Sequence, residues 1–239
     1  MFDLQPLRDR LTGIIDFGLL NSGAIRLSLC CTDVITGDRV VFDTGRGDRI
    51  GMDHIVASCA LLPVFAPVEV EGRLLADGGL AASTPLDLVL DDNPDREMLC
   101  FVVELFARQG SRPHTLAASA SRAGDLAFGN QTRRILEGRQ REYALRSLIG
   151  RLAAHLPAEV RDNAAVAAIL AEGRTDRATV ATVAYRAELE EAGLFKVFDF
   201  SRATLADRWQ AGEAAMRKAV ATIRTGRGDR DATLNVIEA

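Results

Sequence analysis

The chain has 239 residues, of which 48% are hydrophobic and 26% charged, so it can bury a sizeable core and reads as globular, in one or two domains. Its formal net charge of −4 gives no electrostatic case for a nucleic-acid partner. No apolar run reaches the roughly 18 residues of a membrane-spanning helix, and the opening Met1-Phe2-Asp3-Leu4-Gln5-Pro6 lacks the basic and apolar segments of a secretory leader.

Residues 7–20 have the apolar spacing of an amphipathic helix ending near Gly18. Ala24 to Cys31 reads as a strand buried on at least one face. Thr36-Gly37-Asp38 is a turn, after which Arg39 to Asp43 returns as a second strand. Three glycines between Thr44 and Gly51 mark a loop. A helix is expected over 53–61, with Asp53 as its cap or first-turn acid. Pro63 and Pro67 end that helix and bracket an extended segment. Val68-Glu69-Val70 and Arg73-Leu74-Leu75 read as a hairpin turning at Glu71-Gly72. Thr84-Pro85 has the cap-and-first-position pattern of a helix start. After a polar turn over 91–95, the unbroken apolar run Met98 to Leu105 predicts a strand covered on both faces. Strands alternating with helices argue for an α/β sheet across residues 20–105.

The composition then shifts. Residues 116–156 are rich in Ala and Arg and predict helix, with a break near Gly138 or Gly150. Another helix is expected over 158–172, a β-branched strand over 177–186, and a long helix over 201–223 capped by Ser201. Leu205, Trp209, Met216 and Val220 would be the core-packing residues of that last helix. Residues 225–239 are rich in Gly and charge and read as a frayed, disordered tail. The domain organisation that follows is 1–110, 111–224 and the tail 225–239.

The four cysteines, Cys30, Cys31, Cys59 and Cys100, each sit in an apolar run and read as buried free thiols in a reducing cytoplasm. Neighbouring Cys30 and Cys31 would point to opposite faces of a strand, which disfavours a shared metal site. His54, His114 and His155 have no metal-ligand spacing, so no metal and no cofactor is expected. Gly45-Arg46-Gly47 has no following Lys-Ser/Thr and is a loop, not a phosphate cradle.

Chemistry is best placed at Asp77. An apolar run, Leu74-Leu75-Ala76, delivers this aspartate onto Gly78-Gly79, which lets the backbone turn tightly beside a carboxylate at a strand end. Asp-Gly pairs also open ordinary turns, so the surrounding block decides. Ser58-Cys59-Ala60, then Pro63, Phe65 and Pro67, precede the Asp-Gly-Gly, and Thr84-Pro85 follows it. This order, Ser-x-Ala-x-x-Pro-x-Phe-x-Pro, Asp-Gly-Gly, Thr-Pro, resembles the patatin-like phospholipases. The segment Cys31-Thr32-Asp33-Val34-Ile35-Thr36-Gly37 is similar to the family's strand and turn ahead of that helix. The resemblance covers roughly residues 1–105, the second half of a patatin domain, and the C-terminal part resembles an extension found in a bacterial subset.

The resemblance implies an α/β fold: a three-layer sandwich with a mostly parallel sheet, here truncated at its N-terminal side, plus a mainly helical C-terminal extension. It implies hydrolysis of acyl esters of lipids by a Ser–Asp pair, with Asp77 as general base, a glycine-rich loop supplying the oxyanion hole, and no metal. Gly78 and Gly79 would shape the turn of the base. Ser58, Pro63, Phe65, Pro67 and Pro85 would be supporting motif positions.

The family's nucleophile turn, Gly-x-Ser-x-Gly, does not occur in this sequence. Asn21-Ser22-Gly23 and Gly110-Ser111-Arg112 have the wrong spacing, while Ser58 and Ser83 fall on support segments. The expectation is a chain that supplies only the base and does not hydrolyse esters by itself. It is read either as a gene fragment, the preferred reading, or as a short protein whose missing half comes from another chain. The partners expected are a lipid or acyl-ester substrate, and a second copy or an N-terminal half pairing along an open sheet edge. The alternative is a non-catalytic lipid-binding or scaffold module that keeps the fold. Arg133, Arg134, Arg139, Arg141, Arg146 and Arg151 share one helical segment; they suit either peripheral contact with anionic lipid headgroups or a solvated face paired with acids such as Glu137 and Glu142.

Overall fold

The computed structural model describes residues 2–82, 84–91, 97–106, 110, 112–173, 177–184, 201–225 and 233–238. The chain packs as two units, Met1–Pro85 and Leu86–Ala239.

The first unit begins with two short helices, α1 (Gln5–Thr12) and α2 (Phe17–Leu20). The single helix expected over 7–20 is interrupted because Gly13 ends the first, and Asp16 caps the second by accepting from the Leu19 N–H. Strand β1 (Ser28–Asp33) starts later than Ala24, and β2 (Arg39–Asp43) lies where the sequence places it. Gly37, at φ +79°, makes the turn between them. Helix α3 (Met52–Ser58) carries Asp53 in its first turn and starts from Gly51, one residue before the expected start.

Strands β3 (Val68–Val70) and β4 (Arg73–Asp77) form the expected hairpin. Its two turn residues, Glu71 at φ 52° and Gly72 at φ 75°, both adopt the left-handed conformation that a two-residue hairpin of the primed type requires. The sheet order is β2-β1-β4-β3, and every pairing in it is antiparallel. The parallel sheet implied by the resemblance therefore does not extend through this unit. Helix α3 packs across β1, β3 and β4, and Cys31, Phe42, Ile50, Ala57 and Leu75 form the core between them.

The second unit is the parallel α/β part. Helix α4 (Leu86–Asp91) follows Pro85 directly; the polar turn expected after it lies mostly outside the described residues. Strands β5 (Met98–Glu104), β6 (Ala178–Ala184) and β7 (Leu234–Glu238) make a parallel sheet in the order β5-β6-β7. Helix α5 (Leu116–Ala153) runs for 38 residues without a break. Gly138 has open space where a side chain would lie, so it costs helix propensity but creates no kink. Pairs such as Arg133–Glu137 at 2.5 Å and Arg146–Glu142 at 2.9 Å bridge successive turns.

The helix expected over 158–172 is two helices, α6 (Ala158–Arg161) and α7 (Ala164–Leu170). Asn163 separates them because its side chain accepts from the N–H groups of Ala165 and Val166, an N-cap that starts a new helix. Helix α8 (Arg202–Arg224) starts at its Ser201 cap as expected.

Leu86, Leu90, Leu136 and Tyr143 from α4 and α5 cover Val102, Ala178, Val180 and Leu234, while Ala215, Met216, Ala219 and Ile223 of α8 cover Ala181, Val183 and Ile237. Because successive strand residues face opposite ways, this unit is layered helix, sheet, helix.

Three expectations change here. The tail 225–239 is not wholly frayed: residues 234–238 pair with β6, with Leu234 and Ile237 buried. Strand β5 is not covered on both faces, since Leu99, Phe101 and Val103 are exposed while Val102 is buried; α8 packs over β6 and β7. Helix α8 packs through its C-terminal half, leaving Leu205 and Trp209 exposed. Among the described residues no helix is long and apolar enough to cross a membrane.

Candidate functional site

Asp77 is the last residue of β4, and two separate parts of the first unit, the end of α3 and strand β1, fix its backbone. Its N–H donates to the carbonyl of Ala60, just past the end of α3, at 3.0 Å. Its carbonyl accepts from the Thr32 hydroxyl at 2.9 Å. Across the sheet it lies in register with Cys31 of β1. The chain then turns through a 3₁₀ segment, Gly78–Leu80, which Asp77 itself caps: Oδ1 accepts from the Gly79 N–H at 2.7 Å. Oδ2 has no hydrogen-bond partner among the described residues. One carboxylate oxygen is thus anchored and the other is not.

Both glycines of the motif are explained by this geometry. A Cβ on Gly78 would lie 2.3 Å from the carbonyl oxygen of Cys30, a backbone atom that cannot swing aside. A Cβ on Gly79 would approach Asp77 Oδ1 to 3.0 Å, against the very oxygen that is anchored. Gly78→Ala is therefore expected to destabilise the chain by about 3 kcal/mol, the upper range for forced overpacking. Thermal melting checks this; an unchanged midpoint would mean that β1 yields without cost.

Burial pushes the Asp77 carboxyl above its ordinary value of 3.8, with the Gly79 N–H opposing it. Its neighbour Cys31 is fully buried, and burial, then the acidic groups of Cys30, Asp77 and Cys59, push its thiol up to about 12. Cys31 therefore stays protonated at neutral pH and is no thiolate nucleophile. Cys59 is exposed, unlike the buried thiol expected there.

The remaining motif positions lie before and after this turn along the chain. Ser58 ends α3, and its hydroxyl donates to the Ile55 carbonyl at 2.7 Å. Pro63 follows α3 in the segment leading to β3, with a cis Leu62–Pro63 bond, and Pro67 immediately precedes β3. The Phe65 ring lies against that of Phe2, centroids 6.4 Å apart and planes inclined by 57°, and the Phe2 N–H donates to the Val64 carbonyl at 2.8 Å. Pro85 immediately precedes α4. Ser83 lies outside the described residues. Thr32 and Ala60 escaped the sequence reading as supports of Asp77, and so did Cys30 as the backbone packed against Gly78. Only the β1–β4 register and the end of α3 bring them there. Among the described residues, no three or more His, Cys, Asp or Glu side chains are arranged to hold a metal.

Comparison with known proteins accounts for both ends of the chain. Residues 1–90 match the family model described as patatin-like phospholipase, and residues 126–230 match a second model described as patatin phospholipase. Curated relatives described as uncharacterized NTE family proteins, from Mycobacterium bovis and from Mycobacterium tuberculosis strains CDC 1551 and H37Rv, are each 33% identical over 91 residues. That alignment covers 38% of this chain and 24% of each relative, so the matched part spans about a quarter of their length. The two family models, matching residues 1–90 and 126–230, and the relatives that align with this sequence all support one family for this chain, the patatin-like phospholipases.

Proposed function

We propose that this chain carries the base half of a lipid acyl hydrolase, with Asp77 accepting the proton of a serine that attacks an acyl ester. The observation that carries the reading is the state of the Asp77 carboxylate. One oxygen is tied to Gly79 and the other has no hydrogen-bond partner among the described residues, on a strand end pinned from β1 and α3. A base must be held to within about 1 Å to act, and partial burial moves its proton affinity toward the working range of a general base. The serine would lie on a Gly-x-Ser-x-Gly turn in another polypeptide segment, because this sequence has none. The acyl-enzyme formed by its attack would then be hydrolysed by water.

The test is hydrolysis of p-nitrophenyl esters and phospholipids by this chain alone and after mixing with a polypeptide that bears the family's Gly-x-Ser-x-Gly half. Turnover only in the mixture, lost on Asp77→Ala, is the expected result. Turnover by the chain alone that survives Asp77→Ala would overturn the reading. The missing nucleophile also favours a second reading, a lipid-binding module without chemistry. Vesicle binding with no turnover in any mixture would establish that one instead.

A further inference from the structure

Helix α5 has an outward face that the packing of the second unit does not use. Thr132, Leu136 and Tyr143 are buried on its inner side, where the Tyr143 hydroxyl donates to the Leu90 carbonyl at 3.2 Å. On the opposite side, at the helical spacing of three and four residues, lie Arg134, Arg141, Leu145, Leu148 and Leu152. The three leucines are 62%, 55% and 56% exposed, which is unusual for a contiguous apolar row. Arg151 flanks it.

The six arginines between positions 133 and 151 of this helix divide into two sets. Arg133, Arg139 and Arg146 are engaged by Glu137, by Asp91 and Glu142, and by Glu142 respectively. These are the arginines that the solvated-face reading describes. Arg134, Arg141 and Arg151 are exposed and have no ion pair or hydrogen bond among the described residues. The cations left unneutralised are those that accompany the leucines. In a chain of net charge −4, this local excess of positive charge is not a bulk property but a feature of one face.

We propose that this face of α5 docks on the surface of an anionic lipid bilayer. The helix would lie in the interfacial plane, with Leu145, Leu148 and Leu152 entering the acyl boundary and Arg134, Arg141 and Arg151 meeting phosphate headgroups. The arginine fork suits phosphate, to which it donates two parallel hydrogen bonds. No rearrangement of the core is needed, because the inner side of the helix keeps its contacts. The docking goes beyond the acyl-hydrolase reading and does not depend on it.

The experiment is co-sedimentation of the full chain with vesicles of phosphatidylcholine alone and of phosphatidylcholine mixed with phosphatidylglycerol, at low and raised salt. The wild-type chain is expected to bind the mixed vesicles, weakly at raised salt and barely at all without the anionic lipid. Each arginine near a charged surface is worth about fivefold in affinity, so R134Q/R141Q/R151Q should bind roughly 100-fold more weakly. L145S/L148S/L152S should lose at least about tenfold through the apolar contribution alone. Both variants change exposed positions, and circular dichroism verifies their helix content. Arg217→Gln, which removes an exposed arginine paired with Glu213 on α8, should bind as the wild type does. Equal binding to both vesicle types, no binding, or undiminished binding by the leucine variant would each overturn the proposal. So would a dimer in sedimentation equilibrium that the leucine variant dissociates while vesicles remain unbound, which would assign the face to a second copy of the chain. Ester turnover is read separately, so loss of the acyl-hydrolase reading leaves this result intact.

Discussion

Asp77→Asn is expected to lower kcat/KM for ester hydrolysis by about 100- to 10,000-fold in the mixture with the serine-bearing half, the range for loss of a positioned general base, and at the same time to stabilise the fold at neutral pH. Both effects come from one environment. Asparagine can keep its Oδ1 on the Gly79 N–H, so the turn is preserved. It cannot take a proton. Asp77 is held above its ordinary value of 3.8 by burial, so its ionised form is penalised in the folded chain. The linkage has a definite sign: stability is highest below 3.8, declines as pH rises through the raised folded value, and stays lower above it. The asparagine variant lacks that decline. The difference in melting temperature should therefore favour the variant above the folded value and vanish at acid pH, with a gain on the order of 1 kcal/mol, as for other functional sites relieved of their strain. Activity runs the other way, rising with pH as Asp77 ionises. A variant as active as the wild type, or less stable at pH 7, would refute the assignment.

Asp43→Ala is expected to cost about 3 kcal/mol at neutral pH, a large fraction of a small unit's stability. The Asp43 side chain is 1% exposed at the end of β2. It accepts from Arg26 Nε at 2.8 Å, from the Arg26 terminal nitrogen at 2.5 Å, from the Ser28 hydroxyl at 2.9 Å and from the Gly45 N–H at 2.7 Å. Removing the carboxylate leaves these donors around a buried gap. Arg26 is 41% exposed and can rehydrate, which keeps the cost at the low end of the range for a broken buried pair. The Arg26 guanidinium, with help from Ser28 and Gly45, holds the Asp43 carboxyl well below its ordinary value despite its burial. Its contribution is therefore complete above 3.8 and lost as pH falls below that toward the folded value. Urea unfolding at pH 7 and at pH 3 checks both statements. A penalty that is the same at both would show that the loss is of packing and not of charge. The Arg8–Asp53 pair, with both side chains substantially exposed, carries no comparable expectation.

Local features were more legible in the sequence than long-range ones, and the reason is range. Asp77, its two glycines and the hairpin that feeds it lie within one short stretch, where turn chemistry and alternation act locally. Ser201 and the two-residue turn at Glu71-Gly72 were legible for the same reason. Strand β7 was not, because five residues behind a Gly- and charge-rich segment carry little local signal and gain their structure from β6. The orientation of β1 against β4 was equally hidden. It decides that Thr32 supports Asp77 and that the Cys30 backbone packs against Gly78, and nothing near Thr32 in sequence announces it. The exposed row on α5 has the same helical spacing as a buried one, and only the position of Tyr143 and Leu136 reveals which side faces out.

The parallel sheet has a kinetic consequence. Met98 pairs with Ala178, and Ala178 with Leu234, so each partnership closes a very long loop before it is rewarded. The antiparallel hairpin of β3 and β4 closes over two residues. Refolding from denaturant should accordingly recover the first unit quickly and the second slowly. In the interval β6 would present raw edges to any neighbour, so dilute protein and slow removal of denaturant favour recovery over clumping.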